Sequence, residues 1–193
     1  MTSSTDAKKM IYDYFQNLCT DAALCSQLSE LATIEEVPAN TCILEEGERP
    51  DCICLVLSGI VRGFYISEDG TDITKCFTME YQWCCSYSLL STEPSPYYIE
   101  TLEDCVLAKF NVKHCTPLID SHPALRRTLD ELIRKVILQG DIRTHSFLAM
   151  EAKERYLHLV QECPELVVRV KQEYIASYIG VTPSSLSRLK KSL

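Results

Sequence analysis

The chain has 193 residues, 46% of them hydrophobic, enough for a real core in one large or two small domains. Its net charge is −8, which argues against a protein that binds nucleic acid over its whole surface. Residues 1–10 are polar and no apolar run approaches the roughly 18 residues of a membrane span, so neither a secretory signal nor a membrane partner is expected. The eleven cysteines are therefore expected as thiols in a reducing cytoplasm.

Residues 6–31 read as helix. Ile11, Tyr14, Phe15, Leu18, Ala22, Leu24, Cys25, Leu28 and Leu31 make an imperfect stripe, with a break into two short helices near Thr20-Asp21. From about Thr33 to Phe110 short β-rich runs alternate with turn signals such as Pro38-Ala39-Asn40, Glu46-Gly47-Glu48 and Pro94-Ser95-Pro96. That pattern predicts a sandwich or small barrel, and Asp69-Gly70 predicts a hairpin turn between FYIS and TDITKCF.

Helix returns over about 121–145. Leu125, Leu129, Leu132 and Val136 form one stripe, and Ile133, Ile137 and Leu138 a second. A helix apolar on two sides packs on its own domain and on a partner at once, so this one is expected to dimerise the protein. Another helix is expected over 151–162, ending at Cys163-Pro164.

The C-terminal stretch QEYIASYIGVTPSSLSRLKK, Gln172 to Lys191, fits a helix-turn-helix at nearly every constrained position. Ile175 and Ile179 point inward, Ala176 is small where the second helix approaches, and Gly180 stands where the turn needs a positive φ. Thr182 is the expected N-cap and Pro183 the first helical residue. Val181, Leu186 and Leu189 pack inward, while Ser184, Ser185, Ser187, Arg188, Lys190 and Lys191 face outward. Residues 169–193 carry five basic residues against Glu173, a local +4 that leaves −12 on the rest of the chain. Local basicity of this kind neutralises phosphate, and an acidic body discourages loose binding elsewhere.

In this order, helix, β-roll, long helix and helix-turn-helix resemble the cyclic-AMP receptor/Fnr (Crp/Fnr) family of bacterial transcription regulators. ILEEGERPDCICLVLSGIVRGFYISEDG, residues 43–70, looks like the family's first roll of strands, with Gly47, Gly59 and Gly70 at the usual turns. ETLEDCVLAKF, 100–110, looks like the strand that returns after the ligand cassette. The resemblance implies an α+β protein. Residues 1–120 would be a cyclic-nucleotide-binding-like double-stranded β-helix (jelly roll) acting as sensor, 121–145 a dimerisation helix using Leu125, Leu129, Leu132 and Val136, and 146–193 the helix-turn-helix domain. It implies double-stranded DNA, a second copy of the chain and RNA polymerase as partners, and no enzyme activity. Lys171 and Gln172 would contact phosphate, and Arg188 matches the family's base-reading arginine.

Three departures qualify the resemblance. Cyclic-AMP binders place a Gly-Glu pair and an Arg-Ser/Thr pair in the cassette. Here Trp83-Cys84-Cys85-Ser86 and Ser95-Pro96-Tyr97 stand in their place, and no arginine occurs between Arg62 and Arg126. Cyclic AMP in the standard mode is therefore not expected. Trp83, Cys84, Cys85, Ser86, Tyr87, Ser95 and Tyr97, with Tyr98 beside them, are the candidate lining of a pocket for an unidentified small-molecule effector; packing is the alternative reading of the aromatics. The chain runs only to Leu193, so the family's β-wing is not expected. Finally, Pro183-Ser184 replaces the receptor's Arg-Glu pair, so half-site preference does not transfer.

The rival readings use the same scaffold. Cys19-x5-Cys25, Cys52-x-Cys54 and Cys84-Cys85 lack zinc or cluster spacing, so no metal is expected. Cys42, Cys52, Cys54, Cys76 and Cys105 read as small buried hydrophobes, and Cys84-Cys85 as a possible thiol sensor. His114, His122, His145 and His158 lie outside the β region, which argues against a cupin-like metalloenzyme. A ligand-binding module without DNA binding is the remaining alternative.

Overall fold

The computed structural model describes residues 4–91 and 93–193. It divides the chain into two compact units. The first comprises the chain through Phe64 together with Phe77–Asp130; the second comprises Tyr65–Cys76 and Glu131–Leu193.

The N-terminal stripe forms two helices, α1 (Ser4–Gln16) and α2 (Ala22–Leu31). The break falls where Asp21 leaves helical geometry and caps α2, its Oδ1 accepting from the amides of Ala23 and Leu24 at 3.0 and 3.1 Å. Ala7, Ile11 and Phe15 recur every four residues and are buried, as are Leu24, Cys25 and Leu28. Leu18 and Ala22 are exposed, against expectation. Leu18 sits in the turn between the helices, and Ala22 is the first residue of α2, at its open N-terminal end.

Eight strands follow: β1 (Thr33–Val37), β2 (Cys42–Leu44), β3 (Cys52–Ser58), β4 (Val61–Ile66), β5 (Asp72–Thr78), β6 (Trp83–Cys84), β7 (Tyr98–Thr101) and β8 (Cys105–Asn111). They make two four-stranded sheets, ordered β1-β8-β3-β6 and β2-β7-β4-β5. β8 lies antiparallel between β1 and β3, with Ile34 opposite Ala108 and Leu55 opposite Ala108 on its two sides. Side chains alternate along a strand, so Leu55, Leu57, Ala108 and Phe110 share one face. That face joins Ile11, Phe15, Leu24 and Leu28 in one core cluster. Each such side chain contributes about 1.5–3 kcal/mol on burial. The predicted hairpin turn is present, with the Gly70 amide donating to Ser67 O and the Ser67 amide to Thr71 O.

The helical part differs from expectation in three places. A helix α3 (Val112–Ser121), capped by Asn111, precedes His122; Pro117 within it hides it from a reading based on helix breakers. The long helix α4 runs Pro123–Ala149, past 145. Leu125 on α4 is buried in the core cluster of the first unit, so it serves the protomer and is not available to a partner. Leu129, Leu132 and Ile133 are half-buried, while Val136, Ile137, Leu138 and Ile142 are exposed. α5 (Ala152–Glu162) stops at Cys163 as expected, and its first turn closes a capping box in which the Glu151 amide donates to Glu154 Oε2 at 2.8 Å. A short α6 (Pro164–Arg169) then intervenes before α7 (Gln172–Tyr178) and α8 (Pro183–Lys191). Tyr156, Leu159, Leu166, Val170, Ile175, Ala176, Ile179 and Leu186 are the buried apolar residues of this helical region. Among the described residues no helix is long and apolar enough to cross a membrane.

Candidate nucleic-acid interface and effector site

The α7–α8 pair is built as its residue pattern predicts. Gly180 has φ +73° between the helices. Thr182 caps α8, its Oγ1 accepting from the Ser185 amide at 3.2 Å and donating to Ser185 Oγ at 2.9 Å. Pro183 follows at the first turn, where its missing N–H costs no hydrogen bond. Leu186 is buried, and Leu189 and Val181 are half-buried.

The outward face of α8 carries Ser184, Ser187, Arg188, Lys190 and Lys191, all exposed, with Ser185 half-buried. Arg188, Lys190 and Lys191 fill the last turn, and α8 contains no acidic residue. Cations there also suit the negative end of the helix dipole. Lys171 is the exposed N-cap of α7, its ammonium 5.6 Å from the Tyr174 ring centroid. Gln172 Oε1 accepts from Lys190 Nζ at 2.9 Å, so a residue of each helix is tied to the other.

The turn between the helices is also clamped from behind. Arg155 Nε donates to Ile179 O at 2.8 Å and its Nη1 to Met150 O at 2.6 Å. The Arg155 guanidinium lies 4.9 Å from the Phe147 ring centroid. A Cβ on Gly180 would stand 2.6 Å from Phe147 Cε1. Gly180 is thus required twice, for its φ and for the space Phe147 fills. Gly180→Ala is expected to cost about 1–3 kcal/mol, measured by urea unfolding. An unchanged midpoint would show that the turn and the ring relax freely.

The candidate effector residues do not all come together. Trp83 is turned toward α1: its Nε1 donates to Tyr14 Oη at 2.8 Å, and its ring packs on Phe110 at 5.3 Å and edge-on to Tyr14 at 6.0 Å. It is partly buried and packs against the core cluster. Tyr98 stacks on Phe64 at 5.2 Å. The Tyr87 side chain lies outside the described residues. Cys85, Ser95 and Tyr97 are linked by local hydrogen bonds, and Ser86 bonds within its own turn. Tyr97 Oη donates to Cys85 O at 3.0 Å, Ser95 Oγ donates to Tyr97 O at 2.8 Å, and the Ser86 hydroxyl accepts from the Ser88 amide at 3.4 Å. Ser86 and Ser95 are fully buried and Tyr97 nearly so. The buried Ser88 hydroxyl has no hydrogen-bond partner among the described residues.

The residue that sequence reasoning passed over is Arg62. It lies on β4 directly opposite Glu100 on β7. Its side chain is 1% exposed, its Nε donates to Glu100 Oε1 at 2.9 Å and its Nη2 reaches the same oxygen at 2.7 Å. The guanidinium lies 4.3 Å from the centroid of Phe64. A lone charge inside the apolar run VRGFYI was the available signal; its partner became visible only with the strand register.

The eleven cysteines are free thiols. Cys54 and Cys84, both buried, face each other across β3 and β6. Burial pushes the Cys54 thiol up to about 12 and the Cys105 thiol to about 11, away from the thiolate that oxidant sensing needs. Cys54 and Cys105 are buried as expected, but Cys42 is exposed and Cys52 and Cys76 are half-exposed. Cys42 and Cys52 are the first residues of β2 and β3, where the strand ends leave their side chains less covered than the strand interiors. Among the described residues, no group of three or more His, Cys, Asp or Glu side chains is placed to hold a metal ion.

Residues 34–122 match the model of the cyclic nucleotide-binding domain. No curated protein matches the chain in sequence. Among solved structures, FixK2 from Bradyrhizobium japonicum superposes with a TM-score of 0.75 at 18% identity, covering 84% of each chain. The c-di-GMP responsive global regulator CLP of Xanthomonas campestris gives 0.71 at 14% identity, over 89% of this chain and 91% of CLP. The Thermus thermophilus catabolite activator protein gives 0.57 at 20% identity, over 93% and 85%.

Proposed function

We propose that the chain, whose residues 34–122 match the cyclic nucleotide-binding domain model and whose fold resembles those of FixK2 and the Thermus thermophilus catabolite activator protein, is a homodimeric, cytoplasmic transcription regulator of the Crp/Fnr family that reads double-stranded DNA. In this reading the β-strand domain is the family's jelly roll, and α7 and α8 are its helix-turn-helix. The observation that carries the reading is α8 itself: Thr182 caps it, Leu186 anchors its inner face, and Arg188, Lys190 and Lys191 stand exposed with no acid among them. A capped helix with a basic outer face enters the major groove, and Arg188 is suited to bidentate bonding with guanine. Lys171 and Gln172, at the start of α7, would fix the unit on the phosphate backbone. Thr182, Ser184, Ser185 and Ser187 add hydroxyls around the same face.

Dimerisation is assigned to α4, through Leu129, Leu132 and Val136 together with the exposed Ile137, Leu138 and Ile142. A run of exposed apolar side chains on one long helix supports this. The sensor domain would respond to an effector other than cyclic AMP. Glu100 engages Arg62 within the protein, and the Ser88 hydroxyl, which has no hydrogen-bond partner among the described residues, is a group that a polar effector would satisfy. An effector acts by shifting the population between DNA-competent and incompetent dimers.

Arg188→Ala tests the reader directly. It is expected to cost about 1–3 kcal/mol on the preferred duplex and to relax preference at one base position, measured by competition binding against single-base variants. Equal weakening on every duplex would mean that Arg188 touches phosphate alone.

A further inference from the structure

We propose that Ser177 and Arg143 are positioning residues of the DNA reader, latching α7 onto the outer edge of β5. The inference rests on the reading of α7–α8 as that reader. β5 is the last strand of its sheet, and its outer side meets side chains of α7 and α4 in place of another strand. Outward-pointing groups recur at every second residue, which places those of Asp72 and Thr74 on the same side. Ser177 and Arg143 take three of them in succession. The Ser177 hydroxyl accepts from the Thr74 amide at 2.8 Å and donates to Asp72 O at 3.1 Å. Arg143 Nη2 donates to Thr74 O at 3.0 Å and to Tyr178 O at 3.1 Å. A single hydroxyl therefore does what a neighbouring strand would do, and one guanidinium joins the strand to the last turn of α7. The Arg143 guanidinium is fixed in turn by the rings of Tyr178 and Phe147, at 4.1 and 4.9 Å from their centroids. Thr74 is fully buried, so water does not substitute for these bonds without opening the contact.

The latch discriminates between discrete states of the hairpin. Sliding β5 by one residue turns the outward groups of Thr74 inward and brings those of Ile73 or Lys75 into their place. Ser177 can bond both Asp72 and Thr74 in only one register. Residues 176 and 177 are also the hydrogen-bonding foundation of the turn that follows, since the Gly180 amide donates to Ser177 O at 3.0 Å and the Val181 amide to Ala176 O at 2.9 Å. Asp72, Thr74, Arg143 and Ser177 all belong to the second compact unit, so the latch is internal to it.

The test is amide hydrogen exchange on the full chain, with Ser177→Ala and Ser177→Thr beside the wild type and with duplex binding measured on all three. Ser177→Ala is expected to speed exchange at Thr74 and at Val181 together, each on the order of tenfold. Affinity for the preferred duplex falls by a similar factor, and threonine, which keeps the hydroxyl, restores all three values. Faster exchange at Thr74 with Val181 unchanged would make the contact a local edge cover and overturn the proposal, as would equal duplex affinity in alanine and wild-type proteins. Coupled exchange in a wild-type protein that binds no duplex would uphold the latch and overturn the DNA-binding reading instead.

Discussion

Replacing Arg62 by methionine is expected to lower the free energy of unfolding by about 3–5 kcal/mol, among the largest effects of any single substitution in the β-strand region. The pair it breaks is buried, with side-chain exposures of 1% for Arg62 and 18% for Glu100. Removing the guanidinium leaves Glu100 facing a protein interior without its cation, and an uncompensated buried charge is what makes such single variants costly. The double variant Arg62→Met, Glu100→Gln removes both charges and is expected to recover a large part of the loss. Urea unfolding of the two variants and the wild type decides it. A loss under about 1 kcal/mol in the single variant would show that water reaches Glu100 and that the pair behaves as a surface ion pair. The result also bears on the effector. An arginine already committed to a cross-strand glutamate is a structural member of the domain, and an anionic ligand would have to displace Glu100 to use it.

Val136→Asp is expected to dissociate the dimer proposed to form through α4. Val136 is 66% exposed in the protomer, so the substitution leaves protomer folding nearly untouched. Across a two-fold axis it places two carboxylates in an apolar seam, which raises the dimer dissociation constant by on the order of a thousandfold. Sedimentation equilibrium reads the change. Val168→Asp is the control: Val168 is exposed too, but it lies on α6 and its substitution should leave the dimer intact. A Val136→Asp protein that remains a folded dimer would place the interface elsewhere and remove α4 from the account.

The parts of this architecture that were legible in the sequence are those governed by local chemistry. Asp21 and Thr182 announce their helices because a side-chain oxygen at the right offset satisfies free amides there. Asp69-Gly70 and Gly180 announce turns because the backbone conformation favours glycine. The outward face of α8 follows from spacing alone once Leu186 is placed inside. What was not legible depends on partners distant in sequence. Arg62 looks like any strand-edge charge until the register sets Glu100 opposite it. Trp83 belongs with the cassette by position, yet its indole N–H is taken by Tyr14, 69 residues away in sequence. Leu125 continues the stripe of Leu129 and Leu132, but the first turns of α4 pack into the core of the protomer before the helix becomes exposed. The short helices α3 and α6 escaped notice because Pro117 and Pro164 read as breaks.

Selection from a pool of random duplexes by the purified full chain tests most directly whether the protein reads specific DNA as a dimer. The account predicts enrichment of an inverted repeat whose half-sites lie about one helical turn apart, with the enrichment lost in Arg188→Ala. A pool that stays random, at low salt and with the dimer intact, would contradict it and leave a ligand-binding module without DNA readout.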